Sequence, residues 1–391
     1  MAPKGLGKTH VIKHSFEFKP GKDKLINKRQ CPLSLAAWDS IKKIVQEWLD
    51  TRVIERSESP WNSPIFLVRA PGRKDRVVID IREPNECFES NAGALPRMNE
   101  TLPKLSNAHF ISKFNMNSAF HQIELGDKRS RAATAFSVPG MGHFQFCRVP
   151  FGYKNGPSLL VSLMNFLFPP DLEPYVYTYL DDLILVTPTF ELHLQLLKEV
   201  FKRFREANLT LNFAKCQLCT FETSYLGFHV DKHGIKPLDE KVSCVKNFPR
   251  PTNLKQLRRF LGMASWYRNH IKDHAAIVAP LTRLTGKSVP FNWDSNCEAA
   301  FVALKNCLIS APILAFPHEK YMFIVETDSS DFALGSVLYQ QFPDGLKVIA
   351  YASRTLTPTE RKFSTTEKEC LRFYGLFTIN SECIWSTLIL R

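Results

Sequence analysis

Two short apolar runs, Tyr175–Tyr179 and Leu183–Val186, meet at the adjacent carboxylates Asp181 and Asp182 in the stretch YVYTYLDDLILVT. Aromatic and β-branched residues suit a pleated, half-buried surface, so the pattern predicts a tight two-stranded hairpin with the acids at its turn. Elsewhere the period is that of helices. From Pro32 to Glu55, apolar side chains recur at Leu35, Trp38, Ile41, Ile44, Val45 and Leu49, which predicts one amphipathic helix with a core-facing stripe. Ser57–Asn85 reads as turn, strand, turn, strand, with Ile65–Val68 and Val77–Ile81 flanking a Pro71-Gly72 turn. A helix-like Met98–Leu105 precedes a strand at Phe110–Phe114. Phe190–Asn208 and Leu254–Arg283 both carry helical spacing with basic residues between the apolar ones. From about Pro290 a new unit opens, with a helix over Cys297–Leu308 and a strand over Tyr321–Glu326. Residues 1–32 are basic, have little periodicity, and read as an extended lead-in with a mobile tip.

Composition narrows the class. A chain of 391 residues with 44% apolar content has room for two or three domains, each with its own core. The net charge of +13, from 51 basic and 38 acidic residues, favours a polyanionic partner, although a solvated basic surface gives the same count. Ten cysteines behind the polar start MAPKGLGKTH imply reduced thiols, and so a cytoplasmic or nuclear protein that is not secreted. No run approaches the roughly 18–20 apolar residues of a membrane helix, so no membrane partner is expected. A single CxxC, Cys216 to Cys219, without a second pair is weak evidence for zinc.

Ionised side chains interrupting an apolar run cost several kcal/mol each if unpaired. A cation over the Asp181–Asp182 turn is one answer, and hard oxygen ligands suit Mg²⁺, two of which can clamp a phosphoryl transfer. For a lone pair of aspartates, an exposed acidic turn is the ordinary reading.

The flanking residues change that balance. Tyr179-Leu180-Asp181-Asp182 on a hairpin resembles the active-site turn of reverse transcriptases, and residues 8 to about 377 resemble gypsy-like long-terminal-repeat retrotransposon polymerases. The resemblance implies an α+β right-hand polymerase followed by a truncated ribonuclease H-like α/β domain. The expected divisions are a lead-in at 1–32, fingers and palm at 33–240, a thumb at 241–289 and the ribonuclease H-like domain at 290–391. It also implies two Mg²⁺ ions, deoxynucleoside triphosphates, a primer–template duplex and an RNA/DNA hybrid.

Site residues follow position by position. Asp181 and Asp182 match two of the three metal-binding carboxylates, and Asn115 stands where the family has the third. Arg76, with Arg69 adjacent, matches fingers residues that clasp the triphosphate, a role suited to a guanidinium fork; Ala70 replaces a usual lysine. Arg82 and Asn85 of VIDIREPN are kept. Phe120 matches the ring that excludes a 2′-hydroxyl, and His121-Gln122-Ile123 is expected to continue that strand. Val161 replaces a nucleotide-contacting glutamine and cannot hydrogen-bond. Leu226 and Gly227 match the hairpin that positions the primer, while Lys255, Arg258, Arg259 and Arg268 match thumb contacts to phosphates. Asp328, in TDSSDFALGSVLYQ, and Glu369, in EKECL, match the first two ribonuclease H carboxylates and would share its metals. The text beyond Phe377 matches nothing in the family, and a truncated or mis-spliced end is expected there.

Three readings result. The first is a retroelement RNA-directed DNA polymerase with an attached ribonuclease H, impaired at Asn115 and by missing C-terminal ligands. The second is a non-catalytic nucleic-acid-binding protein that keeps the fold. The third is a decayed reading frame whose product rarely folds.

Overall fold

The computed structural model describes residues 5–371 except 23–24, 70–71, 73, 92, 94–97, 331, 365 and 369. The chain forms two compact units. One comprises Met1–Pro96, Ser112–Leu185 and Phe190–Leu218, the other Arg97–Ile111, Val186–Thr189 and Cys219–Arg391.

In the first unit the helix Leu35–Asp50 begins where the Ser34 hydroxyl accepts a hydrogen bond from the Ala37 amide, and it buries Ala37, Ile41 and Val45. It stops five residues short of the predicted Glu55. Arg52 takes a left-handed turn (φ +53°), and Ile54–Arg56 leave as a strand antiparallel to Gly142–Phe146. The same apolar pattern therefore feeds two elements, because Val53 and Ile54 are buried by tertiary packing. Ile65–Val68 and Arg76–Ile79 pair as the expected hairpin, with Val68 opposite Arg76.

A four-stranded sheet runs in the order Gln217–Thr220, Phe110–Asn115, Asp182–Thr187, Val176–Tyr179. The helices Gly156–Leu167 and Phe190–Glu206 contribute to the same core. There the Phe114 ring meets Phe201 at 5.6 Å and Phe168 meets Phe204 at 5.1 Å. Each such ring stabilises the unit by roughly 1.5–3 kcal/mol through burial.

The N-terminal segment is extended and, from Gly7 to Phe18, belongs to this core. The Gly7 amide donates to Thr210 Oγ1 at 3.1 Å and the Thr9 amide to the Gln122 carbonyl at 2.9 Å. Lys13–His14 pairs in parallel with Glu124–Leu125, and Phe16 stacks on Tyr153 at 4.4 Å. Gln122 is the hub. Its buried amide donates to the carbonyls of Asn117 and Thr210 and accepts from the Thr210 amide. His121-Gln122-Ile123 does not continue a strand. Ser118 turns left-handed (φ +47°) and Ala119–Gln122 forms a 3₁₀ turn, which aims the Gln122 amide at these partners.

The second unit opens with a meander of Glu222–Tyr225, Phe228–Asp231 and Gly234–Pro237. The helical pattern at 254–283 resolves into two helices, Leu254–Ser265 and His274–Arg283. A 3₁₀ turn at Arg268–His270 and a left-handed Asp273 separate them. The helix Ser295–Ile309 packs Phe301 on Phe260 at 4.6 Å. Ala333–Phe342 pairs antiparallel with both Phe323–Ser329 and Gly345–Thr355. Among the described residues each of these outer strands has this one neighbour. No described helix is long and apolar enough to cross a membrane.

Candidate active site and nucleic-acid interface

The acidic hairpin is as tight as its pattern demands. Asp182 pairs with Tyr179, leaving Leu180 and Asp181 as the loop. Leu180 takes a left-handed φ of +54°, strain worth roughly 1–2 kcal/mol in a non-glycine residue. Its side chain packs on the core, which holds the turn in place.

Asn115, 67 residues earlier, ends the neighbouring strand, and its Nδ2 donates to Asp182 Oδ1 at 2.9 Å. The Met116 amide donates to the Asp181 carbonyl at 3.3 Å, and the Asn212 amide to the Asn115 carbonyl at 2.8 Å. The second bond carries the loop 212–216 past the site, with the Lys215 and Cys216 amides donating to Asn212.

Desolvation at the turn raises the Asp181 carboxyl above its usual range, the Asp182 charge adds to this, and Lys215 opposes both. The Asp181 residue is nonetheless exposed, so water moderates each effect. The sequence reading gave Lys215 no part at this turn. A lone lysine beside a CxxC carries no pattern, and only the loop's hydrogen bonds bring it to the turn.

Phe120 is half-buried, with its ring edge-to-face on Phe151 at 5.2 Å and Cε1 3.1 Å from where a Cβ on Gly156 would stand. It therefore abuts the start of the helix that carries Val161, which is also half-buried. Asn85 ties this region together: it donates to the Gly152 carbonyl at 2.8 Å and accepts from the Lys154 amide at 3.0 Å. Arg82 makes two bonds to Asp80, at 2.8 and 2.7 Å. On the fingers hairpin, Arg76 is exposed, whereas Arg69 donates to the Ala36 carbonyl at 3.2 Å and lies 3.5 Å from Asp75. Ala70 lies outside the described residues.

In the second unit, Leu226 (φ +48°) and Gly227 (φ +86°) form a two-residue turn between Tyr225 and Phe228. Tyr267 Oη donates to the Gly227 carbonyl at 3.0 Å and fixes the turn against the helix end. A groove of about 480 Å³ follows, lined among others by Leu226, Gly227, Arg258, Arg259, Met263 and Trp266. Four of the six predicted primer and template residues thus share one groove. Lys255 and Arg268 are exposed but lie outside its lining. Trp266 and Tyr267 were not singled out from sequence, since an aromatic pair inside a helical pattern reads as core.

Asp328 stands exposed on Phe323–Ser329, opposite Gly335. Its expected partner Glu369 lies outside the described residues. Among the described residues, no three His, Cys, Asp or Glu side chains converge as a metal site. The palm turn offers two carboxylates and an amide. These hard oxygen donors suit a divalent ion such as Mg²⁺.

Residues 68–230 match the family described as reverse transcriptase (RNA-dependent DNA polymerase), and residues 293–387 the RNase H-like domain found in reverse transcriptase, so the likeness continues past Phe377, where none was expected. The chain belongs with the gypsy-like retrotransposon Pol polyproteins. It is 35% identical to the Pol polyprotein of Drosophila melanogaster transposon 297 over 93% of its own length and 34% of that protein. To transposon gypsy of the same organism it is 32% identical over 88% of its length, again 34% of the relative. It thus spans about a third of these curated relatives. Among solved structures, the foamy viral protease-reverse transcriptase dRH in complex with double-stranded DNA superposes with a TM-score of 0.86 at 26% identity, covering 98% of this chain and 66% of that one. The same viral protein in complex with an RNA/DNA hybrid gives 0.82 at 25% identity, covering 96% and 50%. The right-hand polymerase fold with a ribonuclease H-like domain is therefore established for this Pol segment.

Proposed function

We propose that this Pol segment binds primer–template duplexes and performs RNA-directed DNA synthesis poorly, because Asn115 leaves its palm one charge short. The supporting observation is the 2.9 Å bond from Asn115 Nδ2 to Asp182 Oδ1. The residue at the third-acid position is beside the other two, yet it offers them a donor. Asp181 and Asp182 would hold a divalent ion, which when bound supplies charge neutralisation for the reacting phosphate and the primer 3′-hydroxyl. Leu226, Gly227, Arg258 and Arg259 would seat the duplex end through its backbone. Arg76 would meet the nucleotide's phosphates, while Phe120 bounds the sugar and Val161 gives it no hydrogen bond.

A unit charge about 4 Å from an ion is worth roughly 4 kcal/mol at an effective dielectric near 20. Losing even half of that slows synthesis by about one to two orders of magnitude. Primer extension in Mg²⁺ and in Mn²⁺ tests this: the chain as written extends feebly, and Asn115→Asp raises the rate by about ten- to a hundredfold. Brisk extension by the unaltered chain refutes the reading. A non-catalytic duplex-binding role is the second reading, favoured by the intact groove at Arg258 and Arg259. Salt-sensitive duplex affinity with no extension by either protein selects it.

A further inference from the structure

Asn115 does more than remove a charge. Two adjacent carboxylates at a hairpin turn repel one another, and something must neutralise them when no ion is bound. The groups at hand are the Asn115 amide, 2.9 Å from Asp182 Oδ1, and the Lys215 ammonium, whose field acts on Asp181. Asp182 thus has a hydrogen-bonded partner from this chain, while Lys215 acts on Asp181 only as a charge nearby.

The Asn115 amide is itself held in place. Its backbone carbonyl accepts from the Asn212 amide at 2.8 Å, and its strand continues through the buried Phe114 into the core. The donor therefore belongs to a rigid strand end, so ordering it at the turn costs little.

We propose that the Asn115 side-chain amide takes the place of a cation at Asp182, so that this palm is assembled and stable without metal. The inference rests on the reading of Asn115 given under Proposed function and adds a thermodynamic claim to it. Asp182 Oδ1 already accepts a hydrogen bond, so a divalent ion there would share that oxygen's charge with the Asn115 donor. Asp181 and Asp182 would therefore hold a divalent ion only weakly in the wild type. With aspartate at 115, three carboxylates face each other with only Lys215 against them. The metal-free fold then loses stability, and metal restores it.

The test is thermal unfolding of the full chain in chelator and in millimolar Mg²⁺, with Mn²⁺ titration followed by electron paramagnetic resonance. In chelator, Asn115→Asp melts lower than wild type by about 3 °C or more, a shift expected for about 1 kcal/mol in a domain of this size. Mg²⁺ raises the variant's melting temperature and leaves the wild type nearly unmoved. The Mn²⁺ affinity of the variant is at least about tenfold tighter. Asn115→Ala removes the donor without adding charge and gives a smaller fall in chelator with little metal response. Equal melting of wild type and Asn115→Asp in chelator overturns the proposal, as does an equal Mg²⁺ response. Failure of Asn115→Asp to extend primers bears on the proposed function alone. The melting and Mn²⁺ measurements decide this inference separately.

Discussion

The palm turn and the ribonuclease H-like strand each present an aspartate proposed as a metal ligand, and their surroundings could hardly differ more. Asp182 receives an amide from a strand 67 residues away, and its neighbour Asp181 lies in the field of Lys215 from a hydrogen-bonded loop. Asp328 sits exposed on an outer strand of a three-stranded sheet, opposite a glycine. A carboxylate becomes chemistry only when other elements converge on it. In the palm other elements do converge, and they bring an amide donor to Asp182.

The largest effects should come from breaking each region's scaffold. In the first unit a Cβ at Gly7 would stand 2.5 Å from Gln122 Oε1 and 2.6 Å from the Asn208 carbonyl. In the second, a Cβ at Gly234 (φ +145°) would collide with the Leu314 carbonyl and lie 3.1 Å from the Ala315 Cα. Gly7→Ala and Gly234→Ala should each cost about 3 kcal/mol, since backbone atoms cannot step aside. Hydrogen exchange should report the loss in the first unit for one and in the second for the other. Loss spread evenly over both units in either variant would erase the distinction.

Next in size is the separation of the two acidic sites. Asp182→Asn should remove what extension remains, at least a further tenfold, whereas Asp328→Asn should leave extension within about twofold. Parallel primer-extension assays decide it. An equal loss in both would mean that the two sites do not act independently.

Acid should weaken both regions through their buried imidazoles. Burial, with Arg148 adding its charge, pushes the His121 imidazole down to about 3; burial pushes His270 and His274 down to about 4. All three are neutral in the fold, against an ordinary value of 6.5. Their contribution is complete above pH 6.5. It is lost as pH falls below that value, because the unfolded chain then takes up protons that the fold refuses. By pH 5 each costs about 2 kcal/mol. Burial lowers His14 and His193 in the first unit as well, so acid should weaken both units, the second through His270 and His274. His270→Phe should flatten its acid dependence in melts from pH 7 to 5, and an unchanged slope would rule out that assignment.

The smallest expected effect concerns binding. Arg258→Ala with Arg259→Ala should weaken duplex affinity about equally for any sequence and lower the salt slope by about 2. Loss confined to one duplex sequence would point away from backbone contacts.

Much of this was legible in the chain. The YLDD hairpin, the Ile65–Val68 hairpin and the helices beginning near Ser34, Phe190 and Leu254 follow from apolar period and caps, because these are local. The misreadings share one cause. Val53 and Ile54 fit a helical stripe yet leave it for a strand, and Ala119–Gln122 fits a strand yet curls so that Gln122 can satisfy three backbone groups. Burial decided both, and burial depends on distant residues. The likeness to retrotransposon polymerases marked Asn115 as the odd residue, but it carried no word of where the amide points.

The sequence by itself settled which residues are available: two acids at a turn, an amide for an acid, arginines along a helix, and a glycine where the primer hairpin bends. Tertiary structure decided which of them meet. It set Asn115 against Asp182, drew Lys215 to Asp181, threaded Gly7 past Gln122, and gathered Leu226, Gly227, Arg258 and Arg259 into one groove. Hydrophobic period acts over a few residues, while charge and hydrogen bonding act over a few ångströms. Only the folded chain converts the first distance into the second.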